Sequence, residues 1–130
     1  MLGDVDRDDV MRWVAEYERC WRDGDLPALE SLFTPGAHYR ASPYEPSKVG
    51  LEEIRGFWLE DEDGKVFTMR AEPVAVDGPD AVVRVEVGYG DPVEQEYRDL
   101  WVLRFAADGR VEDFEEWAYW PGKPFAVTEG

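Results

Sequence analysis

The sequence predicts an α+β domain whose helices pack against a curved, mostly antiparallel sheet and enclose an aromatic-lined cavity. Three observations carry this prediction. Apolar residues recur mainly at helical spacing up to Gly64 and with a period of two after it. The elements run helix, helix, strand, helix, then four strands in succession, and that segregation defines the α+β class. The chain has 130 residues, 44% hydrophobic and 14% aromatic, enough for one domain with a packed core. Disorder would need low hydrophobicity as well as high charge, and only the charge is present.

Each element has its own signal. Asp6 or Asp8 can cap a first helix. Val10, Trp13, Val14, Tyr17, Cys20 and Trp21 form its apolar stripe, and Gly24 is its stop. Asp25 can cap a short second helix with Pro27 in its first turn. Leu26, Leu29, Leu32 and Phe33 give that helix a stripe, and Thr34-Pro35-Gly36 ends it. Ala37, Tyr39 and Ala41 alternate with His38 and Arg40 as a short strand, followed by a loop from Pro43 to Pro46. Gly50 opens a third helix with Leu51, Ile54, Phe57 and Trp58 on one side and Gly64 as its stop.

Val66 to Val76 reads as a strand whose far end Pro73 makes an edge or a bulge. Asp77-Gly78-Pro79-Asp80 turns the chain into a strand ending near Tyr89. Glu96 to Phe105 and Val111 to Trp120 form a final hairpin around Asp108-Gly109. No repeat or linker interrupts the chain, so residues 1–130 read as one domain with a loosely held tail over 122–130.

Charge and cysteine usage narrow the partners. Thirty acidic against 14 basic residues give a net charge of -16. Such a field repels phosphate backbones and anionic membranes, so neither nucleic acid nor a membrane is an expected partner. The acids at Asp4–Asp9 and Glu60–Asp63 read as solvated surface. Cys20 is the single cysteine, which excludes an internal disulfide and a cysteine-based metal site. Its apolar helical setting suits a buried, inert thiol. The N-terminus lacks a basic and apolar leader and no apolar run reaches membrane-spanning length, which predicts a cytoplasmic protein.

Several segments carry a family resemblance. Tyr17-Glu18-Arg19-Cys20-Trp21-Arg22-Asp23-Gly24-Asp25-Leu26, followed by Leu29, Leu32 and Phe33, resembles the opening of the SnoaL-like, nuclear-transport-factor-2-like superfamily. The spacing Gly50, Ile54, Arg55, Phe57, Trp58 resembles it too, as does Asp99 to Phe105 with Asp108-Gly109-Arg110-Val111 and Glu116-Trp117. The ordered set spans roughly residues 8 to 121. The resemblance implies a cone-shaped barrel open at one end as a ligand pocket, commonly a homodimer. It does not imply one activity, because ketosteroid isomerases, polyketide cyclases, an epoxide hydrolase and dehydratases share that fold.

The resemblance can be tested reaction by reaction. The isomerase needs a tyrosine donor on the first helix, which Tyr17 matches, and a carboxylate just before a proline on the first strand. Ala41 or Ser42 stands there instead, and neither abstracts a proton at neutral pH. Tyr17 therefore reads either as a core residue or as part of a pocket wall.

The last hairpin allows a geometric test. A two-residue Asp108-Gly109 turn pairs Phe105 with Glu112, Leu103 with Phe114, Trp101 with Glu116 and Asp99 with Ala118. Asp99 and Glu116 then share the inner, apolar face as diagonal neighbours about 7 Å apart. On the outer face Arg104 meets Asp113 as an ion pair. A loop one residue longer would bring Glu115 inward in place of Glu116. Two carboxyls in an apolar cavity form an acid–base candidate, and equally they can anchor packing by accepting hydrogen bonds from Tyr or Trp. The epoxide hydrolase places an arginine between its carboxylates. Here Arg98 points outward and Tyr97 takes the inward position.

His38, the single histidine, alternates away from the core, and no transition-metal or cofactor motif is present. Tyr17, Trp21, Tyr39, Trp58, Tyr89 and Trp101 are the expected ligand-binding wall, with Tyr39, Tyr44 and Tyr89 as polar handles at its mouth. The leading expectation is a pocket for an apolar, ring-containing small molecule. Asp99 and Glu116 would act there as a cofactor-free isomerase, cyclase or hydratase. The competing one is a non-catalytic ligand-binding or structural dimerisation domain. Leu100, Val102, Trp117 and Tyr119 on the outer face predict a homodimer through the convex side of the sheet.

Overall fold

A computed structural model describes residues 4–61 and 66–122, without the side chains of residues 60 and 61. The expected stop at Gly64 and the tail from residue 123 lie outside the described residues. Helix α1 spans Arg7–Asp23. Asp6 caps it by accepting the Asp9 N–H at 2.8 Å, and the Asp9 carboxylate accepts the Asp6 N–H at 3.0 Å. It ends where Gly24 turns left-handed at φ 65°. Val10, Trp13, Val14, Tyr17 and Cys20 are buried along one face, as their spacing requires.

The second helix is shorter than its stripe suggests. One 3₁₀ turn at Leu26–Ala28 leads into α2, Leu29–Leu32. Asp25 makes no capping bond, because its carboxylate lies 3.2 Å from Arg19. The chain turns extended at Phe33, so strand β1 is Phe33–Arg40 and contains Thr34-Pro35-Gly36. The predicted break survives inside the strand as a shift of register between Phe33 and His38. Pro35 has no N–H for the ladder, which is why the pairing slips there.

Strand β2, Lys48–Val49, pairs with β1, and α3 covers Leu51–Asp61 with Ile54 and Trp58 buried. The four later strands are β3 Phe67–Asp77, β4 Asp80–Tyr89, β5 Gln95–Phe105 and β6 Val111–Tyr119. Their order in the six-stranded sheet is β2-β1-β6-β5-β4-β3. Among the described residues only β1 and β6 run parallel; every other pairing is antiparallel. The sheet curves but does not close, so the expected barrel is an open one with β2 and β3 at its edges. Pro73 lies on the edge strand β3 beside a bulge, as its lack of an N–H predicts.

The core forms where α1 crosses the inner face of the sheet. The Trp13 ring meets Phe33, Trp101, Phe105 and Phe114 at centroid distances from 5.7 to 6.4 Å. Its indole N–H donates to the Leu32 carbonyl at 2.9 Å, so this core ring is hydrogen-bonded as well as packed.

The last hairpin departs from the two-residue turn. The Ala106 N–H donates to the Arg110 carbonyl and Gly109 sits at φ 89°, which makes a three-residue loop over 107–109. Phe105 consequently pairs with Val111 rather than Glu112. A bulge at Glu112 then takes up one residue, so Arg104 faces Asp113, Leu103 faces Phe114, Trp101 faces Glu116 and Asp99 faces Ala118. The longer loop and the bulge cancel, and Glu116 keeps the inner face. Arg104 does not complete the expected ion pair with Asp113; its Nε lies 3.8 Å from Asp80 and 3.7 Å from Glu112.

Candidate functional site

Inside the curve of the sheet is a cavity of about 300 Å³. Strand β5 contributes Gln95, Tyr97, Asp99 and Trp101 from alternate positions, and β6 contributes Glu116 and Ala118. Tyr17 and Trp21 come from α1, Tyr39 and Ala41 from β1, and Phe57 from α3. Phe67, Met69, Val87 and Tyr89 complete the wall from β3 and β4.

Asp99 is the one buried charged residue among the described residues, at 6% exposure. Its neighbours across the two ladders are Val85 and Ala118, both apolar. Glu116 stands half-buried opposite Trp101, so the two carboxyls are diagonal neighbours on one face of the β5–β6 pair.

Facing them is a pair of phenols. The Tyr17 and Tyr39 hydroxyls lie 3.0 Å apart in a buried hydrogen bond. Burial holds the Tyr17 hydroxyl well above its ordinary value of 10, and the nearby Tyr39 and Glu116 push it further up. At neutral pH Tyr17 is therefore an O–H that can donate but not a base. Ring packing fixes the pair, because Tyr17 and Tyr39 both stack on Phe114, at 5.7 and 4.5 Å with planes 3° and 1° apart. Trp101 closes the same cluster 4.6 Å from Tyr17. Its indole N–H is buried with no hydrogen-bond partner among the described residues.

The SnoaL-like domain pattern matches residues 14–114, from within α1 through β5 and into β6. This chain belongs to the SnoaL-like family. Three solved structures share the SnoaL-like fold with it. A candidate ketosteroid isomerase from Kribbella flavida DSM 17836 is 19% identical at TM-score 0.68, covering 96% of this chain and 86% of its own. An epoxide hydrolase/cyclase-like enzyme, SalBIII, of pyran ring formation in the polyether salinomycin is 18% identical at TM-score 0.68, covering 88% and 93%. A candidate polyketide cyclase from Sinorhizobium meliloti is 24% identical at TM-score 0.64, covering 86% and 99%. At these identities the likeness establishes the fold alone. A comparison with curated proteins gave no match.

Within the SnoaL-like frame the expected site residues separate into two groups. Asp99, Glu116, Tyr17, Trp21, Tyr39, Tyr89 and Trp101 all line the cavity. Trp58 does not. It is 2% exposed behind the wall, with its ring 5.0 Å from Tyr17 and 4.8 Å from Trp21. A helical stripe says which side of α3 is buried, not whether the space beyond it is filled. Tyr44 is 97% exposed and forms no part of the mouth. His38 is exposed and bonds Ser47 at 3.0 Å, away from the cavity. No cluster of His, Cys, Asp or Glu among the described residues could hold a metal ion. Ala41, one of the two residues at the expected base position, does reach the wall. Tyr97 lines the wall, as its inward position predicts, and Gln95 joins it two residues earlier, where extending the same two-residue period finds it. Phe67 and Met69 had no such signal, because the pattern of an edge strand does not show which residue ends over a cavity.

Proposed function

We propose that this SnoaL-like domain holds a small, apolar, ring-containing molecule in its cavity. Asp99 and Glu116 act on it as a cofactor-free acid–base pair, in an isomerisation, cyclisation or hydration. The observation that carries this reading is the pair itself, two carboxyls on one face of a hairpin inside an aromatic cavity. A pair so placed offers one carboxyl to give a proton and another to take one. Tyr17 supplies an O–H donor that would stabilise an oxygen gaining negative charge. The protein would work in the cytoplasm as a homodimer.

The second reading is a non-catalytic ligand-binding or dimerisation domain. It is favoured by the outer-face patch of Leu100, Val102, Trp117 and Tyr119, each 40 to 44% exposed. Mass spectrometry of the purified protein should find a ring compound co-purifying. Side-chain NMR should show Asp99 and Glu116 titrating as a coupled pair that Asp99→Asn reduces to one simple step. Asp99→Asn and Glu116→Gln should each lower turnover of that compound about 10²-fold or more while leaving its binding in place. Independent titrations, or full turnover in both variants, would leave only the binding reading.

A further inference from the structure

The size of the cavity and the stiffness of its closed end together limit what it can hold. Along the inner face of β5, exposure falls from half-buried Gln95 and Tyr97 to Asp99 at 6% and Trp101 at 3%. The mouth therefore lies at the start of β5 and the closed end at Trp101. Glu116 pairs with Trp101 and Asp99 stands one alternate position before it, so both carboxyls lie next to the closed end. A molecule that reaches them has to place its rings there. That end does not give way. Phe114 is fully buried behind the wall, with Tyr17 and Tyr39 stacked on it and the Trp101 ring 5.2 Å away. Close-packed rings cannot move apart without opening voids elsewhere. The volume of about 300 Å³ is therefore an upper limit at that end, and it stands at the low end for ligand cavities. A dry cavity of about 150 Å³ holds one benzene ring, so this one holds about two fused rings, or about ten to twelve non-hydrogen atoms.

Two wall residues set that limit. Trp21 is the largest lining side chain outside the Phe114 stack. It is half-buried, and among the described residues its ring meets only Trp58, edge-on at 4.8 Å. Truncating it opens space without disturbing the stack. Ala41 is, with Ala118, the smallest side chain of the wall. Arg40 pairs with Glu115, which places the next residue, Ala41, on the Glu116 side of the cavity. A longer side chain at Ala41 would occupy the space beside that carboxyl.

We infer that Trp21 and Ala41 size the cavity for a flat, two-ring molecule, and that a three- or four-ring skeleton is kept away from Asp99 and Glu116. This rests on the cavity being a ligand site, and it narrows the ligand class by size and shape.

Four phenols, uncharged at neutral pH and carrying one to four rings, test this: phenol, 2-naphthol, 9-phenanthrol and estradiol. Calorimetry reads their affinities. 2-Naphthol should bind at least about tenfold tighter than phenol, because its second ring buries further apolar surface. 9-Phenanthrol and estradiol should bind at least about tenfold more weakly than 2-naphthol, because a filled, close-packed site has no room for a third ring. Trp21→Ala should place 9-phenanthrol above 2-naphthol, and Ala41→Leu should make phenol the tightest of the four. Circular dichroism checks that each variant folds; if one does not, the other and the order on the native protein decide. Suppose any other phenol binds the native protein more tightly than 2-naphthol while either variant still shifts the order. That result would overturn the inference and leave the pocket reading standing. An order that neither variant moves would overturn the inference as well. No binding by any of the four would remove both.

Discussion

Trp58 shows how a single side chain here serves the wall without lining it. Trp58 packs its ring edge-on against Tyr17 and Trp21, so it sets the position of two wall residues while touching no cavity space. Trp58→Ala should cost about 3–5 kcal/mol, as large-to-small core substitutions do. Urea denaturation measures this, and a loss under about 1 kcal/mol would mean the site collapses around the missing ring. Tyr17 and Cys20 predict an alkaline limit. Burial raises the Cys20 thiol from 9.0 to about 11 and holds the Tyr17 hydroxyl well above 10. Above those ordinary values the unfolded chain loses protons that the folded chain keeps, so stability falls as pH rises. The contribution of Cys20 is complete below pH 9 and lost by about pH 11; that of Tyr17 begins to fall only above pH 10. Cys20→Ala should flatten the urea midpoint between pH 9 and 10, and an unchanged slope there would refute the assignment. At this scale Asp99, Trp101 and Glu116 were legible from alternation along β5 and β6. Trp58 was misplaced because periodicity reports burial and is silent about cavities.

The β5–β6 hairpin is the element on which the candidate site depends. Asp108-Gly109 suits a two-residue turn, yet it equally suits a three-residue loop whose last position is left-handed, and Gly109 at φ 89° takes that place. The bulge at Glu112 restores the phase, which no local pattern announces because Glu112, Asp113, Glu115 and Glu116 are all acidic. Two deletions should therefore behave differently. Removing Glu112 leaves a regular strand in the same register, with Phe114 and Glu116 still inward. Its cost should be about 1 kcal/mol, mostly from the surface contact with Arg104. Removing Glu115 keeps Phe114 in place but turns every residue from Glu116 onward to the opposite face, bringing Trp117 inward. That variant should lose several kcal/mol or fail to fold. Thermal unfolding compares the two, and equal losses would refute the bulge. The break at Thr34-Pro35-Gly36 was legible as an irregularity, but its setting was not. Whether Pro35 ends a helix or slips a strand depends on β6, nearly eighty residues away in the chain.

For the whole molecule, segregated helices and sequential strands were enough to predict α+β, because those features follow from local periodicity. The openness of the sheet and the parallel pairing of β1 with β6 were not, since each depends on which strands meet. The outer face predicts the assembly. Leu100 sits opposite Trp117 and Arg98 opposite Tyr119, so the apolar residues form one patch bordered by charge. We predict a symmetric dimer through that patch. Light scattering at micromolar concentration should give twice the chain mass of 14.9 kDa, and Trp117→Arg should halve it. A monomeric wild-type protein would refute this. With a net charge of -16 on each copy, the dimer should tighten as salt rises.

The pairing of β1 with β6 also bears on biosynthesis. Residues 33–40 leave the ribosome well before their partner strand, residues 111–119, which follows about seventy residues later. At about 5–20 residues per second, β1 waits several seconds with one edge open. During that interval β3, β4 and β5 can form a meander, while the floor of the cavity, which needs Glu116 and Ala118, does not yet exist. A nascent chain stalled before residue 111 would offer β1 to any other strand in reach, so chaperone dependence should fall once residues 111–119 have emerged.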